Sequence, residues 1–109
     1  MACNGEYSVV ITTCADRELA RRLADHLVRG RLAACVQLFP IESIYTWKGE
    51  VCDGNEVLLL IKTRSVLYEK LVSAIRKNHS YDIPEIIKLP ITGGLPEYLK
   101  WIDASVLDA

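Results

Sequence analysis

Around residue 80 the chain gathers His79, Tyr81, Asp82 and Glu85, an imidazole, a phenol and two carboxylates in one short turn. Imidazole beside carboxylate is a donor set for copper, zinc or nickel. The same imidazole falls where a helix should end, and a helix C-terminus favours a histidine without any ligand. The residues allow both readings. His26, the other histidine, lies off the apolar stripe of its helix and reads as a surface residue. No H-x-x-x-H or H-E-x-x-H spacing occurs, so a preformed tight metal site within one chain is not expected. Cys3, Cys14, Cys35 and Cys52 are scattered without a C-x-x-C, which points to reduced thiols, and Cys35 reads as a small hydrophobe inside a strand. G-x-S-x-G, phosphate-loop and G-x-G-x-x-G patterns are lacking, and Gly93-Gly94 is a turn signal. With no nucleophile matched to a base, an enzyme is not expected.

The elements that must position these groups centre on a long hairpin. Ala33 to Trp47 and Glu50 to Thr63 read as strands joined at Lys48-Gly49. That register sets Val36 against Ile61, Leu38 against Leu59 and Pro40 against Val57 on one face. The opposite face carries Cys35, Phe39, Ile41, Tyr45 and Trp47 with Leu58 and Leu60. Both faces are therefore apolar. Burying Phe39, Ile41, Leu58 and Leu60 would contribute roughly 6–12 kcal/mol at about 1.5–3 kcal/mol each, comparable with the whole stability of a small domain. A few helices cover one face of such a sheet, so further copies of the chain are expected on the other. A strand of this length reaches roughly 45 Å at about 3.3 Å per residue, so its tip should overhang the body. The competing expectation is a bulge at Pro40 that would change which side chains share a face.

Tyr7 to Thr13 alternates as a strand, and Asp16 is placed to cap a helix bearing Leu19, Ala20, Leu23, Ala24, Leu27 and Val28 and ending at Gly30. Thr63 or Ser65 is placed to cap a second helix with Leu67, Leu71, Ala74 and Ile75 on its stripe. Glu85 to Leu89 reads as a further strand, and Pro96 starts a terminal amphipathic helix. The order predicts an α+β fold, the ferredoxin-like βαββαβ arrangement plus a C-terminal helix, over a single domain spanning 1–109. A net charge of −1 with 25% charged and 50% hydrophobic residues describes an ordinary globular chain with no polyanion partner implied. RNA binding on such a sheet needs aromatic platforms, and Val57-Leu58-Leu59-Leu60-Ile61 offers none. No membrane partner is expected, and the start of the chain has neither a basic nor an apolar targeting segment, so a cytoplasmic address is expected.

Leu32-Ala33-Ala34-Cys35-Val36, Ser43-Ile44-Tyr45, Trp47-Lys48-Gly49, Leu60-Ile61-Lys62-Thr63, Pro84-Glu85-Ile86-Ile87 and Tyr98-Leu99-Lys100-Trp101-Ile102 follow one another in an order that resembles the CutA family of divalent-cation tolerance proteins. The likeness runs from about Ser8 to Ile102. It implies a ferredoxin-like subunit in a tight homotrimer, similar in architecture to the PII signalling proteins. It also implies a role in tolerance of copper or other divalent cations, with no tightly bound cofactor. Some family members look like weak copper binders through a cysteine at the end of the first strand and a His-His pair. Here the strand ends Thr12-Thr13-Cys14, the pair is reduced to Asn78-His79, and Ser80 replaces the following proline. His79 carries over as a metal ligand, whereas Cys14 would serve only with the strand end slipped. Trp47, Glu56, Lys62, Tyr81 and Glu85 match positions that line or border clefts between subunits, either as a site or as interface packing. The leading reading is a trimeric, non-enzymatic protein of divalent-metal tolerance. The alternatives are a PII-like sensor of an anionic metabolite, with Lys62 supplying charge, and a trimeric hub that anchors other proteins.

Overall fold

The computed structural model describes residues 6–108, so Cys3 lies outside the described residues. In β1 (Tyr7–Cys14) the alternation places Ser8, Val10, Thr12 and Cys14 in the interior. Asp16 then starts α1 (Arg17–Arg29) as expected, its Oδ1 accepting the Leu19 backbone N–H at 2.8 Å. Gly30 closes α1, and Arg31 turns the chain through a left-handed φ of 59° into β2 (Cys35–Trp47). There follow β3 (Glu50–Arg64), α2 (Tyr68–Lys77), β4 (Ile86–Pro90) and α3 (Pro96–Ser105). The strands form one four-stranded sheet in the order β2-β3-β1-β4, antiparallel at every junction.

The hairpin register is the expected one, Val36 with Ile61, Leu38 with Leu59, Pro40 with Val57. Lys48 and Gly49 take positive φ of 52° and 81°, the two left-handed residues that a tight turn between twisted strands requires. Pairing runs one to one from Trp47 back to Cys35, so no bulge forms at Pro40. The reason is positional: β2 is an edge strand. Counting back from the turn, Pro40 falls on a non-hydrogen-bonded pair, where the N–H that proline lacks would point away from β3.

The cap expected for the second helix is not made. A short 3₁₀ turn over Ser65–Leu67 precedes α2, and neither has a side-chain cap. Thr63 Oγ1 instead donates to the Leu32 carbonyl at 2.7 Å, and the Ser65 hydroxyl pairs with that of Ser8. These hydroxyls hold strands and connections together rather than a helix end. β4 starts at Ile86 and takes in Pro90, which an edge strand tolerates.

α1 and α2 cover one face of the sheet, burying Leu23, Leu27, Leu71 and Ile75 against Val10, Leu59 and Ile61. A second cluster of Ala34, Leu67, Ile102 and Val106 seats α3. Tyr7 Oη donates to Asp103 Oδ2 at 2.7 Å and Arg64 Nε lies 3.3 Å from Asp103 Oδ1, tying α3 to the sheet. By register, Leu58, Leu60, Phe39, Ile87 and Leu89 share the other face. Phe39, Ile87 and Leu89 remain 45%, 47% and 46% exposed there. Beyond the body the hairpin runs out into solvent, with Ile44 80% and Val51 78% exposed, and the longest dimension of the chain is 45 Å.

Candidate functional site

β1 pairs with β4 only as far as Thr12. One residue on, the Thr13 carbonyl is taken by a side chain: His79 Nε2 lies 2.6 Å from it. His79 Nδ1 meets the Tyr81 backbone N–H at 3.1 Å. A carbonyl can only accept and a backbone N–H only donate, so the ring is the neutral tautomer with its proton on Nε2. His79 is thus a pin between the end of β1 and the 78–85 loop, and the helix-end reading gives way to this one. Both ring nitrogens are engaged, so a metal reaching either must displace a hydrogen bond.

From this pin the loop turns Tyr81 toward the hairpin. Its ring centroid lies 4.8 Å from that of His79, and its hydroxyl donates to Glu56 Oε2 at 2.9 Å. Burial, then the bond to Glu56 and that carboxylate's charge, push the phenol up to about 12. Tyr81 is therefore a neutral donor at physiological pH. Cys14 points into the core under α1. The strand end is not slipped, since Cys14 pairs in register with Val57. Burial first, then Asp16 and Glu56, push its thiol up to about 11, which leaves almost no thiolate at neutral pH.

Trp47, Glu56, Tyr81 and Glu85 line one open groove of about 840 Å³ between the outer half of the hairpin and the 80–85 loop. Lys62 is not among them. It sits opposite Val9 and Cys35, with Nζ 5.7 Å from the Tyr98 ring centroid. Six residues along β3 separate it from Glu56, about 20 Å at strand rise. Tyr45, Glu42 and Ile83 also line the groove, beyond the site residues to which the sequence points. The hairpin register held a signal for Tyr45, because Glu56 pairs with Ile41 and puts Tyr45 four residues along on the same face. Nothing local in the sequence announces Glu42 or Ile83. Among the described residues no three of His, Cys, Asp and Glu converge closely enough to hold a metal ion. No described helix is long and apolar enough to cross a membrane.

A four-stranded antiparallel sheet with two helices on one face, a bare second face and an overhanging hairpin beside an acidic, aromatic groove defines a class of small α+β proteins. Within that class, the chain belongs to the CutA1 divalent ion tolerance protein family, which matches residues 8–105. It is 46% identical over 95 residues to the divalent-cation tolerance protein CutA of Thermus thermophilus, covering 86% of this chain and 92% of that one. To the chloroplastic CutA of Arabidopsis thaliana it is 49% identical over 98 residues, covering 89% of this chain but spanning only 54% of that relative's length. The crystal structure of CutA1 from Oryza sativa superimposes with a TM-score of 0.93 at 42% identity, covering 97% of this chain and 98% of that one.

Proposed function

We propose that this chain is a single ferredoxin-like domain that assembles as a homotrimer and serves tolerance or homeostasis of divalent metal ions, copper among them. In this reading it works in the cytoplasm, binds the ion weakly and catalyses no reaction. The observation that carries the assembly is the bare apolar face of Phe39, Leu58, Leu60, Ile87 and Leu89. An exposed patch of that kind marks an interface, and a threefold arrangement is what the family resemblance implies for it. Trp47, Glu56, Tyr81 and Glu85 then border the clefts between subunits, with Lys62 entering a cleft only from another part of the sheet.

The weakness of the metal site follows from its geometry. Coordination by His79 costs one of its two hydrogen bonds, about 0.5–1.5 kcal/mol, and no preformed cage offsets that cost. Cys14 joins only where the end of β1 opens and the thiol loses its proton. Copper titration by calorimetry against the wild-type protein and His79→Ala tests this reading. Saturable heat in the wild type that disappears in the variant supports it, and superimposable isotherms remove His79 from the site. The PII-like reading, with an anionic metabolite in the groove, has less support. Glu42, Glu56, Asp82 and Glu85 line that groove, and like charge would repel such a ligand.

A further inference from the structure

α3 and the segment 106–108 that follows it are seated apart from the main core. Ile102 and Val106 pack with Ala34 and Leu67 in a cluster of their own, whereas α1 and α2 share the larger cluster with the sheet. By register Tyr7, Lys62 and Arg64 stand on the sheet face of Leu60. α3 lies across that end of the face, with Tyr98 beside the Lys62 ammonium and Asp103 on Tyr7 and Arg64. The fastenings at the far end of α3 come from other elements. Its last turn carries no basic residue, although a helix leaves unpaired carbonyls and a partial negative charge there. Arg31 supplies the cation from the corner between α1 and β2. Its guanidinium stands 3.2 Å from the Val106 carbonyl oxygen, 3.4 Å from that of Ala104 and 3.5 Å from that of Ser105. The Arg31 carbonyl also accepts the Leu107 N–H at 2.9 Å. Arg31 does this at a φ of 59°, a left-handed conformation that is costly for a residue with a side chain. Arg64 Nη1 adds a bond to the Asp108 carbonyl at 2.6 Å. The near end of α3 is joined to β4 through Gly93-Gly94. Packing requires Gly94, because a Cβ there would stand 3.3 Å from Leu99 Cδ2. Gly93 is different: its φ is not left-handed, and a Cβ would meet nothing within 4 Å. Backbone freedom that the docked arrangement does not use is what a hinge needs.

From these features we infer that α3 with residues 106–108 is a latch, hinged at Gly93 and clasped by Arg31, which swings off the end of the sheet while the main core stays folded. Opening parts Ile102 and Val106 from Ala34 and Leu67, and frees Tyr7 and Arg64 from Asp103. A small cluster held by a few ties from distant residues is the kind of unit that opens ahead of global unfolding. The inference goes beyond the metal-tolerance reading and uses neither a bound ion nor a particular assembly.

Native-state hydrogen exchange on the whole protein as it assembles, resolved by peptide mass spectrometry, compares protection of the α3 amides with that of the α1 amides. In the wild type α3 should be the less protected by about tenfold or more, as a sub-global opening implies. Arg31→Gly removes the guanidinium while glycine takes the left-handed φ freely, so the backbone is not strained. It should speed α3 exchange about five- to thirtyfold, as loss of a charged helix cap implies, and leave α1 nearly unchanged. Gly93→Ala should act in the opposite direction, slowing α3 exchange about two- to fivefold by restricting the open form. The inference is overturned if α3 and α1 are equally protected, if Arg31→Gly changes both alike or neither, or if Gly93→Ala leaves α3 exchange unaltered. Sedimentation of the same samples reports assembly separately. A trimer whose α3 never opens ahead of α1 therefore sinks this inference and leaves the proposed assembly standing.

Discussion

Replacing His79 by alanine removes two contacts at once, the bond from Nε2 to the Thr13 carbonyl at 2.6 Å and the bond from the Tyr81 N–H to Nδ1 at 3.1 Å. Each is worth about 0.5–1.5 kcal/mol net, so His79→Ala should destabilise the fold by about 1–3 kcal/mol. The upper part of that range applies if the Thr13 carbonyl finds no substitute partner, since β4 pairing stops at Thr12. His79→Gln keeps a donor of similar reach for Thr13 and should recover part of the loss. Urea unfolding at one fixed protein concentration measures these differences, because the stability of an oligomer depends on concentration. The 78–85 loop should loosen with the pin, so Tyr81 should lose its hold on Glu56. A stability change within about 0.5 kcal/mol, typical of exposed surface positions, would refute the pin and return His79 to the end of a helix.

Other consequences are as direct. Leu60→Lys places a charge on the bare face, opposite Gln37 and Ile11, and should shift the sedimenting species toward single chains while the far-ultraviolet spectrum of the fold persists. Asp16→Ala removes the α1 cap bond to the Leu19 N–H and should cost about 0.5–2 kcal/mol in urea unfolding. Because folding raises the Cys14 thiol from 9 to about 11 and the Tyr81 phenol from 10 to about 12, the protonated forms are favoured in the native state. Their stabilisation is complete below pH 9 and 10 respectively and is lost as pH rises through 11 and 12. Alkaline titration should therefore show native stability falling across that window, and alkylation at pH 8 should modify Cys35 and Cys52 before Cys14.

The hairpin could be read from the sequence because its information is local. Lys48-Gly49 fixes the turn, the turn fixes the register, and alternation then assigns Leu58 and Leu60 to one face and Leu59 and Ile61 to the other. The α1 cap was legible for the same reason. Thr63 and Ser65 misled because a hydroxyl before a helix is a local signal, and partners at Leu32 and Ser8, distant in sequence, captured them. The candidate site was legible only in part. His79, Tyr81 and Glu85 stand together in the chain, and Trp47 and Glu56 came through family likeness. The bonds that build the site, His79 to Thr13 and Tyr81 to Glu56, link residues 66 and 25 positions apart. No periodicity reports such contacts. Lys62 shows the reverse, a residue grouped with the others by likeness that a single chain holds elsewhere.

In the proposed assembly, a sheet with an apolar second face is not complete as one chain. Sedimentation equilibrium of the wild-type protein at low micromolar concentration measures this most directly. A single species with the mass of three chains is the predicted result, and a folded, stable single chain at that dilution would contradict it.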